Sequence, residues 1–371
     1  MKFFHLSDLH LGRRLFEVPL IDDQRDILEQ IITRAASEKP DAIVIAGDIY
    51  DRTTPSVDAV SLFDDFMTRV SELGIRLLAI SGTHDSPERV AFGGRLMSRS
   101  GVYFSEVFDG VPRKVTLEDQ LGEVDFWFLP FIKPANIRRF FPDMEINDTN
   151  GAMKAVLERV NLDSSRRNVL IAHQFVTGAE RSESEEVSVG GSDNVDSTLF
   201  EKFDYTALGH IHRPQSLSPM VRYCGSPLKY SFSEAPFAKS ITMVELSEKG
   251  QLKTTLLPLT PLHDMREIRW KFSELTKPEH YEKLKDYYVH IILTDEEDIP
   301  DAAAKLRKCY PGLMKLSFDN TRTRAETQIE AAVDERSPLE LFSDFYKAQN
   351  GREMSPEQLE FMKEIIGRVF E

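Results

Sequence analysis

Aspartate and histidine side chains stand directly after apolar runs at five places in this chain. These places are Asp8-Leu-His10, Gly47-Asp48-Ile-Tyr-Asp51, Gly82-Thr-His-Asp85, Ala172-His173 and Gly209-His210-Ile-His212. A single Asp-x-His or Gly-Asp pair is common by chance, but five such segments in one chain are not. Together they contain five of the nine histidines. The pattern predicts one shared site made of imidazole and carboxylate groups.

The residue types in these segments favour a pair of divalent metal ions. Imidazole and carboxylate together suit Mn, Fe or Zn better than Mg or Ca. One carboxylate can bridge two ions about 3.5–4 Å apart, and such a pair holds the attacking and leaving oxygens of a phosphoryl displacement. Glycines beside the ligands let the backbone come close to the ions. The loop at 80–89 is expected to carry the acid group of this site.

Strands and helices alternate over the first eighty residues. Apolar runs predict buried strands at 2–7, 42–46 and 75–80, and apolar residues at helical spacing predict helices at 21–36 and 56–73. This alternation predicts a parallel sheet with right-handed crossovers. The candidate site segments follow these strands, at the sheet edge where functional groups of α/β proteins gather.

The pattern becomes less regular beyond residue 89. Strands are predicted at 124–129, 168–172 and 205–208. A helix is predicted at 153–160 and a closing hairpin at 239–258. A second sheet packed on the first would account for these later strands. Residues 177–197 are rich in Ser, Glu and Gly, which predicts a long loop. His5 lies within the first strand and is interpreted as a structural residue.

Four parts are predicted along the chain. The first part ends near Pro258-Leu-Thr-Pro-Leu262, and a β-α-β-α-β pattern follows at 263–320. Residues 321–336 are polar and Glu-rich, which is typical of a linker. Residues 337–371 predict two helices, each with a Ser-Pro start and a capping-box Glu or Gln. The apolar stripe of the last helix would either pack on its own domain or dock on a partner.

Composition describes an ordinary globular protein, with 41% hydrophobic and 29% charged residues. No run approaches the length of a membrane span, and the N-terminus becomes polar too early for a signal peptide. The two cysteines, Cys224 and Cys309, exclude a disulfide framework and favour a reducing cytoplasm. The net charge of −15 argues weakly against non-specific DNA affinity, because it averages over all faces of the molecule.

The order of the five segments resembles the calcineurin-like metallophosphoesterase superfamily, whose pattern is D-x-H, G-D-x-x-D, G-N-H-D, H and G-H-x-H. More narrowly, Gly225-Ser-Pro-Leu-Lys-Tyr-Ser-Phe-Ser-Glu-Ala235 and Gly190-Gly-Ser-Asp-Asn-Val-Asp196 resemble the bacterial SbcD family of nuclease subunits. The resemblance implies a four-layer α/β metallophosphoesterase β-sandwich flanked by helices at 1–262. It also implies a small α/β capping domain at 263–320 and a C-terminal helical hairpin at 337–371.

The resemblance also implies a role for each site residue. Two divalent ions, with Mn expected, would be held by Asp8, His10, Asp48, Thr83, His173, His210 and His212. Asp48 would bridge the ions. His84 would stand beside the phosphate and stabilise or protonate it, and Asp85 would orient a histidine. The expected DNA contacts are Arg13, Arg52 and Arg89.

Residue 83 departs from the family pattern. The family has Asn before the catalytic histidine, and its amide oxygen binds the second metal ion. Thr83 offers a hydroxyl on a shorter side chain, which is a weaker neutral ligand. We therefore expect lower affinity for the second ion and lower nuclease activity. Natural variation and an engineered change both remain open as the origin of Thr83.

The implied reaction is hydrolysis of DNA phosphodiesters, exonucleolytic on duplex ends and endonucleolytic on single strands and hairpins. The capping domain would contact DNA, and the hairpin would dock on the coiled-coil base of SbcC, an ABC-type ATPase. The helix at 56–73 is a candidate homodimer surface. The expected location is the cytoplasm, at the nucleoid and away from membranes. Two alternatives remain: a metallophosphatase on the same scaffold, and a DNA-end-binding subunit with a crippled nuclease site.

Overall fold

A computed structural model of the protein describes residues 1–185 and 194–321, and then 339, 342–343, 346–347 and 352–370. The chain forms two compact units. The first unit is Met1–Glu267 with Asp286–Tyr288, and the second is Ile268–Lys285 with Val289–Glu371. Most of the predicted linker, the first helix of the tail and most of the motif at 190–196 lie outside the described residues.

The strands of the first unit are β1 (Lys2–Leu6), β2 (Arg14–Leu15), β3 (Val18–Pro19), β4 (Ala42–Ala46), β5 (Arg76–Ile80), β6 (Val102–Phe104), β7 (Arg113–Asp119), β8 (Gly122–Leu129), β9 (Arg167–His173), β10 (Tyr205–Gly209), β11 (Gln215–Ser216), β12 (Val221–Tyr223), β13 (Lys239–Leu246) and β14 (Leu252–Leu259). Its α-helices are α1 (Ile21–Glu38), α2 (Val57–Glu72), α3 (Pro87–Val90), α4 (Gly94–Met97), α5 (Pro134–Ile137) and α6 (Thr149–Glu158). The predicted strands and long helices of this region are therefore present, with shifted ends.

The first sheet has the strand order β14-β13-β1-β4-β5-β6. Strands β1, β4, β5 and β6 run parallel, which confirms the predicted β-α-β-α-β unit. The hairpin β13–β14 was expected in the second sheet, and that expectation is wrong. Strand β13 pairs antiparallel with β1, with Phe3 opposite Val244. Because β13 is buried along almost its whole length, it requires an interior position such as the place between β1 and β14.

The second sheet has the order β11-β12-β10-β9-β8-β7. The three predicted later strands are its centre, where β8, β9 and β10 run parallel. Strand β7 was not predicted from the sequence. It pairs antiparallel with β8. Only one of its seven residues is buried, so it carries no apolar run from which to recognise it.

The two sheets bury a common core between them. Aromatic residues from both sheets meet there edge to face, with the Phe3 ring 5.4 Å from that of Phe126 and 5.8 Å from that of Tyr205. Such pairs contribute about 0.5–1.5 kcal/mol beyond their buried area. Helix α2 packs on β5, and α6 covers the outer face of the second sheet. These layers confirm the predicted α-β-β-α order.

Helix α2 begins where its sequence predicts. Ser56 is its N-cap, and its hydroxyl accepts a hydrogen bond from the backbone N–H of Ala59 at 3.3 Å. This bond satisfies one of the backbone donors that a helix start leaves unpaired. The buried positions of the helix are Ala59, Leu62, Phe63, Phe66 and Val70. The helix thus carries one apolar face toward the first sheet and leaves the other face to solvent.

The second unit contains a sheet of order β15-β16-β17, built from β15 (Met265–Trp270), β16 (Tyr288–Leu293) and β17 (Leu313–Phe318). Its helices are α7 (Phe272–Leu275), α8 (Pro278–Tyr281) and α9 (Ala302–Cys309). The two short helices α7 and α8 are separated at Lys277. Lys277 precedes a proline and is extended, with φ −76° and ψ 130°, so the chain does not continue as one helix from α7 into α8.

The last described helix, α10 (Pro356–Phe370), confirms the second predicted helix of the tail. Its capping box is formed: Gln358 accepts from the backbone N–H of Ser355 at 2.9 Å, and the Ser355 hydroxyl accepts in return from the N–H of Gln358. Phe361 is 62% exposed on this helix. None of the helices in the described ranges has the length and apolarity that crossing a bilayer requires.

Candidate metal centre

The five predicted segments converge at the carboxyl ends of strands from both sheets. Three segments follow β1, β4 and β5 of the first sheet, and two follow β9 and β10 of the second. Ligand atoms lie within 4.8 Å of one another in three groups: Asp8 with His10 and His212, Asp8 with Asp48 and His173, and His10 with Asp48 and His84. His210 lies outside these groups but adjoins His173, with ring centroids 5.3 Å apart. Segments that are far apart in the sequence therefore build one site.

Four of these residues have backbone conformations that are rare outside glycine. The φ angle is 53° at Asp8, 44° at His10, 52° at Asp48 and 96° at His210. The left-handed region costs a non-glycine residue roughly 1–2 kcal/mol. Such strain persists only where the surrounding structure holds it, and it clusters at functional sites. The fold therefore holds these side chains in place before any ligand binds.

Glycines beside the site are required by close approach. A Cβ atom at Gly82 would overlap the carboxylate of Asp48, and one at Gly209 would overlap the carbonyl oxygen of Ala46. Both neighbours belong to the loop and strand of the first sheet that carry Asp48. Glycine at these two positions lets the loop after β5 and the end of β10 come close to β4 and the loop that follows it.

Backbone carbonyls set the orientation of two histidines. Nδ1–H of His173 donates to the carbonyl oxygen of Ala46 at 2.7 Å, and Nδ1–H of His84 donates to that of Asp51 at 3.0 Å. A carbonyl oxygen can only accept, so Nδ1 carries the proton in both rings. The Nε2 atom of His173 then faces Oδ2 of Asp48 at 3.2 Å. Each ring presents Nε2 to the site.

Burial and charge act against each other within the site. Burial acts to raise the pKa of Asp48, but His173 and His10 outweigh it and hold that pKa well below its usual range. Burial acts to lower the pKa of His173, yet Asp48 raises it to about 9. Burial raises the pKa of Asp8 and lowers that of His10. The buried carboxylates therefore favour a positive charge at His173, and the ring carries that charge as a proton.

The donor set fits divalent ions. Nε2 of His173 is buried and directed at the carboxylate of Asp48, with 3.2 Å between Nε2 and Oδ2. A metal ion bound between the two groups would take the place of the proton on Nε2. The Nε2 atoms of His10 and His212 lie 3.1 Å apart, so they face one common position. Imidazoles and carboxylates in this arrangement match the ligand preference of Mn, Fe and Zn.

Thr83 lies inside the site. Its hydroxyl donates a hydrogen bond to Oδ2 of Asp48 at 3.1 Å. The backbone N–H of the next residue, His84, donates to Oδ1 of the same carboxylate at 2.9 Å. The hydroxyl oxygen therefore lies beside the carboxylate that is expected to bridge the two ions, and it keeps lone pairs for a ligand bond. Its role as a ligand stays a prediction.

The expected role of Asp85 in orienting a histidine is wrong. Its carboxylate accepts three backbone N–H bonds, from Ile49 at 3.1 Å, Tyr50 at 3.0 Å and Gly82 at 3.0 Å. No histidine of the described residues is among these partners. Burial raises the pKa of Asp85 to about 6, with a further contribution from Asp48. Asp85 instead joins the loop after β4 to the loop after β5, because one short acceptor can gather several backbone donors.

The three arginines proposed to contact DNA differ in their surroundings. Arg13 is half-buried, binds Oδ1 of Asp51 at 3.0 Å and lies over the Tyr230 ring at 5.2 Å. The side chain of Arg52 is 76% exposed, and Arg89 is exposed in α3. Arg13 therefore has internal contacts that the sequence did not indicate. A DNA contact by any of the three stays a prediction.

The sequence did not indicate two buried charged side chains that lie behind His212. Glu234 and Lys239 form a fully buried ion pair with 2.5 Å between Oε2 and Nζ. Lys239 also donates to the carbonyl oxygen of His212 at 2.8 Å. Burial acts to raise the pKa of Glu234, but Lys239 and His212 hold it well below its usual range. The available signal was Glu234 itself, which lies within the motif at 225–235.

His5 has the structural role predicted for it. Its ring is fully buried between the two sheets, with Nδ1 2.9 Å from the Tyr205 hydroxyl and Nε2 3.2 Å from the carbonyl oxygen of Leu208. Burial lowers the pKa of His5 to about 3, so the ring is neutral at physiological pH. Both nitrogens are occupied, and the ring belongs to none of the three metal groups.

Two family models and several curated proteins match the chain. The calcineurin-like phosphoesterase model matches residues 1–214, and the model described as the type 5 capsule protein repressor C-terminal domain matches residues 261–350. A Staphylococcus epidermidis protein, named as the SbcD component of nuclease SbcCD, is 31% identical over 100% of this chain and 99% of its own length. A Staphylococcus saprophyticus protein of the same name is 32% identical with the same coverage. A solved archaeal phosphodiesterase is 16% identical over 69% of this chain and 100% of its own, with a TM-score of 0.32.

Proposed function

This chain belongs to the calcineurin-like phosphoesterase family, and we propose that it is the nuclease subunit of an SbcCD complex, hydrolysing DNA phosphodiesters. The observation that carries the proposal is the full-length match to two proteins named as the SbcD component of nuclease SbcCD. The convergence of Asp8, Asp48 and four buried or half-buried histidines supports it, because a decayed site would not retain such a set. The matches cover the whole chain and so include the second unit as well as the phosphoesterase unit.

Two divalent ions are the expected cofactors of this family, and manganese is our proposal for this chain. The first ion would be held by Asp8, His10, Asp48 and His212. The second would be held by Asp48, Thr83, His173 and His210. When bound, the pair supplies an activated water and neutralises charge on the phosphate. The preference of mixed imidazole and carboxylate sites for Mn, Fe or Zn supports manganese over magnesium.

The chain's own contribution to the reaction would centre on His84. Its Nδ1–H is bound to the carbonyl oxygen of Asp51 and its backbone N–H to Asp48, so the ring has a fixed direction. Its ring centroid lies 4.8 Å from that of His10, beside the first metal position. Nε2 is then left to contact a phosphate oxygen. When the ring is protonated on both nitrogens, Nε2–H donates to that oxygen and stabilises charge that develops in the transition state.

Partners follow from the names of the relatives and from exposed apolar residues. Docking of α10 on an SbcC ATPase is supported by Phe361 and by Ile365, which is 36% exposed. A homodimer surface on α2 is supported by Val57 at 82% exposure and Val60 at 43%. Large apolar side chains this exposed are typical of interaction surfaces when they are contiguous. Work at DNA ends would take place in the cytoplasm, at the nucleoid.

An assay with three substrates distinguishes the proposed nuclease from a phosphatase on the same scaffold. The substrates are linear duplex DNA, a DNA hairpin and a small phosphodiester. The full chain is assayed with manganese, with and without the ATPase partner and ATP. Cleavage of duplex ends and hairpins, increased by the partner, is the expected result. Hydrolysis of the small phosphodiester with both DNA substrates left intact would contradict the nuclease assignment.

A second candidate, a DNA-end-binding subunit with a crippled site, is favoured by one observation. Thr83 replaces the asparagine that the family pattern places beside the second ion, and its hydroxyl is directed to Asp48. Elemental analysis of the purified chain distinguishes the candidates. Two ions per chain are expected for an active nuclease, whereas one ion and no cleavage would support the crippled subunit.

A further inference from the structure

The side chain behind His212 is a serine hydroxyl rather than a carboxylate. Oγ of Ser184 lies 2.7 Å from Nδ1 of His212 and donates to Oε1 of Glu234 at 2.6 Å. The direct separation between Nδ1 of His212 and Oε1 of Glu234 is 3.6 Å, which is too long for a hydrogen bond. Ser184 therefore stands between the imidazole and the carboxylate.

The directions of these hydrogen bonds follow from counting protons. A serine hydroxyl has one proton and two lone pairs, and an ionised carboxylate can only accept. The proton of Ser184 goes to Glu234, because the bond to a charged acceptor is the stronger one. Oγ of Ser184 must then accept the proton on Nδ1 of His212. Oγ of Ser182 lies 2.7 Å from Oγ of Ser184, but its own proton goes to Oε2 of Glu185 at 2.8 Å.

Glu234 is held as a carboxylate by buried donors. Nζ of Lys239 lies 2.5 Å from Oε2 of Glu234, and the backbone N–H of Tyr230 donates to Oε1 at 3.2 Å. Both charged side chains are almost completely inaccessible to solvent. A buried charge without a partner is strongly unfavourable, so Lys239 keeps Glu234 available as an acceptor for Ser184.

The same short segment also holds the backbone of His212. Oε1 of Glu185 accepts from the backbone N–H of His212 at 2.6 Å. His212 is thus fixed at two points by adjacent residues, the ring by Ser184 and the main chain by Glu185. Its Nε2 atom lies 3.1 Å from Nε2 of His10, the other histidine proposed to hold the first ion.

We propose that Ser184 is a positioning residue that fixes the Nδ1–H tautomer of His212, leaving Nε2 as the ligand atom of the first metal ion. The inference rests on the metal centre proposed above. Partners of this kind raise metal affinity by about 10- to 100-fold in other metal sites, because they hold the ring in its binding orientation. The sequence reason for Ser184 is then its short hydroxyl, which spans a gap that Glu234 cannot close.

Calorimetric titration of the full chain with Mn²⁺ tests the proposal through three variants. Ser184→Ala removes the acceptor and is expected to weaken the tighter ion by about tenfold or more. Ser184→Thr keeps the hydroxyl and should restore binding to within about twofold of the unchanged chain, on the same reasoning. Ser233→Ala is the matched control, because Ser233 bonds Ser231 and Glu183 on the same side of the site without contacting His212.

Nitrogen NMR of the ¹⁵N-histidine-labelled chain with Zn²⁺ gives a readout that a merely structural role would not change. We expect His212 to carry its proton on Nδ1 and to bind through Nε2, and we expect Ser184→Ala to speed exchange of that proton with solvent. Equal metal affinity in Ser184→Ala, equally weak binding in Ser184→Thr, or binding through Nδ1 would each overturn the proposal. A chain that binds metal with this tautomer but fails to cut DNA would contradict the nuclease function alone.

Discussion

The two metal positions proposed for this site are supported in different ways. At the first position, Asp8 is bonded by the Ser7 hydroxyl, and His212 is held by Ser184 and Glu185. At the second position, the contact behind His173 is the carbonyl oxygen of Ala46. Side-chain groups support the first position, while a backbone carbonyl supports the second.

This difference predicts which of the two positions binds its ion more tightly. Buried side-chain networks are costly to disturb, so the first position is expected to hold its ion tightly. The second position has fewer charged donors, and one of its expected ligands is the neutral hydroxyl of Thr83. Activity would then be limited by occupancy of the second position. Four changes test this comparison, in order of decreasing expected effect.

Asp48→Ala removes the carboxylate that both positions share. Loss of both ions removes several kcal/mol of transition-state stabilisation, so cleavage should fall by about 10³-fold or more. Metal content should fall from two ions toward zero in elemental analysis. Retention of two ions per chain by this variant would show that Asp48 does not bridge. Asp51→Ala is the comparison and should keep two ions, because Asp51 contacts His84 through its backbone carbonyl and its carboxylate pairs with Arg13.

Lys239→Met removes one partner of the buried ion pair behind the first position. An uncompensated buried Glu234 is expected to cost about 3–5 kcal/mol of unfolding free energy, measured by urea denaturation of the metal-free chain. Lys253→Met is the matched control on the adjacent strand. Lys253 is 71% exposed and pairs with Glu245 at 2.8 Å, so its loss should cost at most about 1 kcal/mol. Equal destabilisation by the two variants would contradict the comparison.

The affinity of the second position should depend on pH through His173. Its pKa of about 9 means that the metal-free ring is protonated at neutral pH, and an ion must displace that proton. Affinity should rise about tenfold per pH unit up to roughly pH 9 and then level off, measured by titration at several pH values. In the metal-free chain, the same proton stabilises the fold below pH 6.5, and this contribution is lost as the pH rises toward 9. A pH-independent affinity between 6 and 9 would exclude displacement of this proton.

Thr83→Asn should strengthen the second position alone. The longer amide supplies a stronger neutral oxygen, and we expect affinity for the second ion to rise on the order of tenfold, the lower end of the range for groups that support a metal. Manganese-dependent cleavage should rise with it at limiting metal concentration. Thr83→Val provides the control that removes the hydroxyl at similar size. Cleavage by Thr83→Asn equal to that of the unchanged chain would remove Thr83 as a limit on activity.

Local sequence was sufficient for much of the fold and for the members of the site. The apolar runs before Asp8, Asp48 and His84 predicted three parallel strands and their common edge, and the structure has both. The capping box at Ser355 and the start of a helix at Ser56 were also predicted from the sequence, because each depends on residues three positions apart. Patterns of this range need no knowledge of the rest of the chain.

Contacts between distant segments could not be read in this way. Asp85 lies in a histidine motif, yet it accepts backbone N–H bonds from the loop after β4. The hairpin β13–β14 has the pattern of any apolar hairpin, and only packing assigns it to the edge of β1.

The sequence by itself determined which side chains meet in the candidate metal centre, because their types and their places after strands are local properties. The tertiary structure alone decided what holds them. Ser184, Glu234 and Lys239 meet behind His212 only when both sheets and the connecting loops have packed. A hydrogen bond depends on distances of a few tenths of an ångström, and these distances exist only in the folded chain.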